Sequence, residues 1–238
     1  MGIFSKVYFL FLAVSVMVAP TISFANENSK APVVLELFTS QSCSSCPSAD
    51  KVLQEFSGEP HVIALGYHVT YWNHLDWEDT LSSGASTLLQ NEFNASLGSN
   101  RVYTPQMVVN GQDEFVGSKR GKVAHHVENI SPVISIPVTL KERQIIADIP
   151  TQFSKTQNLS LMIVGFDKDV TQSITDGENS GEVVSYTHPV KTIQYIQDWK
   201  NGHQTIDIPE PHKSSGGYAM IIREGRAGKI IAAGQIRL

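Results

Sequence analysis

Residues 33–38 read Val-Val-Leu-Glu-Leu-Phe, apolar on both faces except at Glu36. That is the pattern of a parallel strand covered on two sides. A polar turn over 39–42 follows, and then the period changes. From 45 to 56, Cys46, Ala49, Val52, Leu53 and Phe56 fall on one face of a predicted helix, which Gly58 and Pro60 terminate. Residues 62–67 repeat the buried-strand pattern, and an aromatic segment spans 67–77. A second helix is predicted over 86–97, ended by Gly98. After a loop into Pro105 come a strand at 106–109, a tight hairpin turn at Asn110-Gly111, a returning strand at 114–116 and a helix over 119–130. The expected order is βαβαββα.

Ser131-Pro132 marks a boundary, beyond which the pattern turns β-rich. Strands are expected at 133–140, 143–149, 159–166, 183–187, 203–208, 217–223 and 228–237, with a helical piece over 190–199. Turn signals such as Gly177, Gly181, Gly202 and Glu224-Gly225 separate most of them. Short strands spaced this way point to a small sandwich or barrel. The expected domains are 32–130, of α/β type, and 131–238, β-rich and most simply a small sandwich. Residues 26–31 read as a loose leader.

The N-terminus changes the picture of where the chain works. Lys6, an uncharged run over 7–18, Pro20 and the small-x-small site Ser23-Phe24-Ala25 read as a secretory signal peptide over residues 1–25. The run is shorter than the 18 or so residues a spanning helix requires. Export would place the protein in the periplasm of a Gram-negative cell or outside the cell, where disulfides form. The chain has 238 residues, 41% of them hydrophobic, enough for a core without disulfide staples. A formal net charge of −5 gives no sign of nucleic acid as a partner.

There are two cysteines, in the run Cys43-Ser44-Ser45-Cys46. A bridge across so short a loop contributes only about 2 kcal/mol on the chain-entropy model. Chemistry is therefore the better reason for the pair. A helix N-terminus lowers a thiol's pKa through its free N–H groups and positive dipole end. The two intervening residues let the second thiol reach the first. Pro47 follows at an early helical position, where it costs little. CxxC also occurs in zinc sites, so the strand–CxxC–helix context matters. In an open α/β sheet, ligands sit at the carboxyl ends of the parallel strands. Cys43 follows the first such strand and the 67–77 segment follows the second. An antiparallel 106–109 strand would start, at Pro105, at the same end. A cis proline there would leave the Thr104 backbone free for β-type pairing with a peptide.

This order, with its CxxC and pre-strand proline, resembles the thioredoxin superfamily. More narrowly, ELFTSQSCSSCPSAD, YHVTYW and RVYTPQMVVNG are similar to a bacterial family of exported thioredoxin-like proteins, DUF1223, whose name records that no function is assigned. The resemblance covers nearly all of the chain after the signal peptide. It implies a thioredoxin-like domain over 32–130. It also implies Cys43 as the attacking thiol, Cys46 as the resolving thiol, Pro105 as a cis-proline and Thr104 as the residue before it. Thioredoxins carry a buried acid on the strand before CxxC that helps move the resolving thiol's proton. Glu36 lies on the equivalent strand, one residue further from Cys43, and otherwise reads as an acid leaning towards the strand's exposed end. Ser42 stands where the family usually has glycine, and Thr70 where it usually has aspartate.

The leading expectation is an exported thiol–disulfide oxidoreductase. It would act on protein thiols or disulfides of the cell envelope, with no cofactor beyond its own Cys43–Cys46 pair. Two alternatives stay open. One is a non-catalytic binding protein on a thioredoxin-like scaffold. The other is a soft-metal carrier, with copper held by Cys43, Cys46 and His68. His68, His74 and Tyr71-Trp72 read either as groove lining beside Cys43 or as loop side chains packed on the domain. Trp77 reads as packing, and His125-His126 and Lys119-Arg120 as solvated surface. The β-rich half carries no cysteine and no acid or histidine cluster, and reads as a packing or partner-binding module.

Overall fold

β1 (Val33–Thr39) is buried along its whole length in a computed structural model that describes residues 2, 30–99, 101–153, 158–208 and 214–238. The signal peptide expected over 1–25 lies outside these residues, Gly2 apart. α1 (Cys46–Ser57), β2 (Val62–His68), α2 (Gly84–Leu97), β3 (Gln106–Val109), β4 (Asp113–Val116) and α3 (Arg120–Asn129) follow. The four strands form one sheet in the order β2-β1-β3-β4. β1 runs parallel to β2, and β3 antiparallel to β1, with Phe38 opposite Gln106. The carboxyl end of β1 and the start of β3 therefore share one edge.

Alternation along β1 sends its side chains to two different cores. Val33, Leu35 and Leu37 pack with Ala49, Val52, Leu53 and Phe56 of α1 and Val123 of α3. Val34 and Phe38 face the other way, towards Leu89 and Phe93 of α2. The β3–β4 turn is set by Asn110 and Gly111, both at positive φ (49° and 65°), with Gln112 N–H donating to Val109 O at 3.0 Å. Asn110 is buried and clasped. It accepts from Val34 N at 2.7 Å and donates through Nδ2 to Ser131 O at 3.1 Å. A Cβ on Gly111 would collide with the carbonyl of Gly228.

Strands dominate the remainder: β5 (Ile134–Ser135), β6 (Val138–Lys141), β7 (Gln144–Ile149), β8 (Leu159–Phe166), β9 (Val170–Ser173), β10 (Val183–Tyr186), β11 (Val190–Ile196), β12 (Gly202–Asp207), β13 (Gly217–Glu224) and β14 (Ile230–Arg237). They form a five-stranded sheet, β11-β8-β13-β14-β5, a three-stranded sheet, β12-β7-β6, and a two-stranded ribbon, β10-β9. Two expectations are corrected, and one strand was not expected. The strand at 133–140 is two pieces, because Pro137 lies between them and cannot donate to a ladder. The helical piece at 190–199 is a strand, since pairing with β8 from Val190 to Ile196 overrides local preference. β9, short and half exposed, carries no apolar run and went unread.

The five-stranded sheet has two apolar faces. Leu161, Ile163, Met220 and Ile222 pack onto Ile145, Ala147 and Ile149 of the three-stranded sheet. Met162, Val164, Phe166, Ala219 and Ile221 join Val34, Phe38, Ile63, Leu65, Tyr67 and Val108 in one core. That core spans both sides of position 131. Overall the molecule is a mixed α/β protein, rich in β structure, with three helices among the described residues.

Candidate functional site

Cys43 and Cys46 form a disulfide at the start of α1, with Cα atoms 5.4 Å apart. Pro47 opens the helix, and Cys46 N–H donates to Cys43 O at 3.1 Å. The loop that delivers the pair, Thr39 to Ser42, is polar yet buried, and its polar groups are met by hydrogen bonds, Gln41 Nε2 excepted. Gln41 N–H donates to Asp79 Oδ2 (2.8 Å), and Gln41 Oε1 accepts from Trp77 Nε1 (2.9 Å). The Ser42 hydroxyl donates to Trp77 O at 2.6 Å.

The 67–77 segment, extended to Asp79, walls this end of the sheet. His68 Nδ1 lies 2.7 Å from Asp79 Oδ2, both buried, with Tyr186 of β10 edge-on to the imidazole at 4.8 Å. Trp72 Nε1 donates to Thr104 Oγ1 at 2.8 Å. The peptide bond between Thr104 and Pro105 is cis. His74 is exposed and bonds Tyr71 O, while Tyr71 and Trp72 lie against the core between the sheets. Thr70 meets the Thr87 hydroxyl with both its N–H and its own hydroxyl, each at 2.9 Å.

Beneath the disulfide, one turn along α1 from Cys46, lies Asp50. It is 3% exposed and accepts from Thr39 Oγ1 at 3.1 Å. Burial pushes its carboxyl up from 3.8 to about 7. The His68 charge and the Thr39 hydrogen bond act against this, and the Asp79 charge adds to it. Tyr186 is raised well beyond the usual phenol range, first by burial and then by the Asp50 and Asp79 charges.

Glu36 is elsewhere. It faces the core between the sheets, and its Oε1 accepts from Arg223 Nη2 at 2.8 Å, with both side chains fully buried. The Arg223 guanidinium lies 5.0 Å from the Phe93 ring centroid. Neither reading of Glu36 made from the strand position fits this arrangement. It does not lean to an exposed end. It also lies on the face of β1 opposite to the one that packs α1. The copper set of Cys43, Cys46 and His68 is not assembled either. Among the described residues no group of three or more His, Cys, Asp or Glu side chains could hold a metal ion.

Sequence reasoning missed Asp50, Asp79, Tyr186 and two residues of the β9–β10 turn. Asn179 Nδ2 donates to Gln41 O (2.8 Å) and Cys43 O (3.0 Å), and Glu178 Oε2 accepts from Ser44 N (3.2 Å). For Asp50 a signal existed. It is a carboxylate at i+4 from Cys46, inside the apolar stripe of the helix. The turn residues lie more than 130 positions from the cysteines and carried no local signal.

The described residues thus define a mixed α/β protein whose CxxC disulfide opens a helix at the carboxyl edge of a parallel strand pair. A family profile described as "Protein of unknown function (DUF1223)" matches residues 34–223, and the chain belongs to that family. A crystal structure of a protein from Agrobacterium tumefaciens is 27% identical with a TM-score of 0.72, covering 88% of this chain and 96% of that one. HBP35 of Porphyromonas gingivalis is 17% identical with a TM-score of 0.57, covering 89% of this chain and 76% of that one, a likeness of fold. No curated protein matches the chain. Among the described residues no helix is long and apolar enough to cross a membrane.

Proposed function

We propose that this chain is an exported thiol–disulfide oxidoreductase on a thioredoxin-like fold, with residues 32–130 as the redox domain and 131–238 as the β-rich domain. The observation that carries the reading is the Cys43–Cys46 disulfide at a helix start, with a buried carboxyl near neutrality one turn behind it. When the reduced pair meets a substrate disulfide, the Cys43 thiolate attacks one sulfur and the other leaves as a thiolate. Cys46 then loses its proton, attacks Cys43 Sγ and releases the second substrate sulfur. Asp50, at i+4 and close to pH 7 in its affinity for a proton, is suited to take that proton. This is the part expected of Glu36, moved from strand to helix. The Thr104-Pro105 loop and Trp72 flank the reacting edge. Partners are protein thiols or disulfides of the cell envelope.

Cys46→Ser leaves Cys43 able to attack and nothing to resolve the product. Mixed disulfides through Cys43 are expected to accumulate and to be absent from a Cys43→Ser/Cys46→Ser control. Identical trapped-protein profiles would remove the redox reading. The burial of Cys43, 2% exposed, favours one rival, a scaffold with a permanently oxidised bridge. The reduction potential separates the two. A structural bridge lies below about −300 mV and an exchanging one above it.

A further inference from the structure

Ser44 and Ser45 are exposed, yet the two sulfurs that flank them are buried. The surface of the CxxC loop is open while its sulfurs are buried, and the turn of the β9–β10 hairpin is bonded to the backbone of that same loop. Its turn is braced internally by Ile174 N–H to Glu182 O (2.9 Å) and Gly181 N–H to Ile174 O (2.8 Å). Asn179, 6% exposed, spends both N–H donors of its amide on Gln41 O and Cys43 O, and exposed Glu178 takes the Ser44 N–H. Gly177, at φ +71°, lies on Trp77, where a Cβ would come within 3.1 Å.

Apart from the bonds of its turn, the hairpin meets the rest of the molecule where β10 packs on α1 and Tyr186 meets His68. Its two strands pair only with each other. Its apolar residues, Ile174, Val184 and Tyr186, form a small cluster with Trp77 and Leu81, separate from the three larger cores. A two-stranded ribbon alone is marginal in water, and weakly packed units are the ones that open locally.

We propose that the β9–β10 hairpin is a movable cover that selects the substrate of the redox pair, and that the substrate is an extended cysteine-containing peptide segment. The Asn179 amide gives the Gln41 and Cys43 carbonyls N–H donors such as a peptide backbone carries, so an extended chain can replace it bond for bond. A folded surface or a small thiol cannot. This rests on the oxidoreductase reading. With the cover displaced, a peptide thiolate attacks Cys43 Sγ. The new S–S bond forms as the Cys43–Cys46 bond breaks, and Cys46 leaves as a thiolate and is protonated. A second peptide thiolate attacks the peptide sulfur of the mixed disulfide and releases Cys43 as a thiolate. The peptide is oxidised by two electrons, and the pair is reduced.

The test is the rate of Cys43–Cys46 reduction in the full chain by dithiothreitol and by an unstructured two-cysteine peptide, together with the potential of the pair. The wild type is expected to favour the peptide over dithiothreitol. Asn179→Ala is expected to raise the dithiothreitol rate about tenfold, as two hydrogen bonds are lost, and to narrow the preference. Glu178→Ala, at an exposed position that threatens no fold, is expected to raise it about threefold. Unchanged rates in both variants, with a wild-type potential above about −300 mV, would overturn the cover and leave the redox reading standing. A wild-type potential below that value would overturn the redox reading itself, whatever the variants do.

Discussion

Glu36 and Asp50 are both buried carboxylates, one on the strand that leads to Cys43 and one on the helix that follows Cys46, and their surroundings differ in kind. Glu36 meets a fully buried guanidinium, so its negative charge is matched inside the protein. Asp50 meets a neutral hydroxyl and lies near a histidine already engaged by a second acid, Asp79. An ion pair fixes the protonation of its members, because removing either charge strands the other in a medium of low polarity. A carboxyl whose burial outweighs the charges and hydrogen bonds around it is held near neutrality and can trade its proton at physiological pH. The first arrangement joins the four-stranded sheet to the five-stranded sheet. The second stands behind the disulfide.

The largest expected effect comes from breaking the matched pair. Arg223→Met leaves Glu36 uncompensated, and urea unfolding at pH 7 should show a loss of roughly 3–5 kcal/mol. Adding Glu36→Gln should recover most of it. An Arg223→Met protein of unchanged stability but altered disulfide reactivity would place Glu36 with the Cys43–Cys46 pair and dissolve the contrast.

Asp50→Asn probes the unmatched acid, and the sign is opposite. The folded chain holds this proton up to about pH 7, whereas the unfolded chain releases it near 3.8. Wild-type stability relative to the variant should therefore fall as pH rises through that window, by a few kcal/mol, and level off above it. Below about pH 4 the two proteins should show no pH-dependent difference. Parallel pH–stability curves would show that Asp50 ionises as an ordinary surface acid.

Thr39→Val is the finest cut. It removes the hydroxyl that favours ionised Asp50, so the carboxyl should rise further. The protein should lose about 1 kcal/mol at pH 8 and less at pH 5. A loss equal at both pH values would mean that the hydroxyl serves packing alone.

The regular elements of the first 130 residues were legible because their signals are local. The apolar runs at 33–38 and 62–67, the helical stripe from Cys46 to Phe56 and the Asn110-Gly111 turn each announce themselves within a few residues. The β-rich part was legible as strands but not as an arrangement. β11 lacks a period of its own and takes its form from β8. The site followed the same division. Cys43 and Cys46 could be read from spacing, but the partner of Glu36 lies 187 positions away, and alternation on β1 decides which core it enters. Asp50 was visible as a polar break in an apolar stripe, whereas its proton affinity depends on burial and neighbours. Asn179 acts through its place on a turn whose first strand left no apolar trace.

Asn110-Gly111 belongs to the dipeptide class that ages fastest in proteins. The glycine N–H attacks the asparagine side-chain carbonyl, the ring that forms opens to aspartate or isoaspartate, and ammonia is lost. The attack needs a free backbone and a free side chain, and here neither is available. Asn110 Oδ1 is held by Val34 N–H, its Nδ2 by Ser131 O and its own carbonyl by Ile230 N–H, all out of solvent. The turn that reverses the chain between β3 and β4 is thereby shielded from its own chemistry, and isoaspartate at position 110 should report unfolding rather than the passage of time.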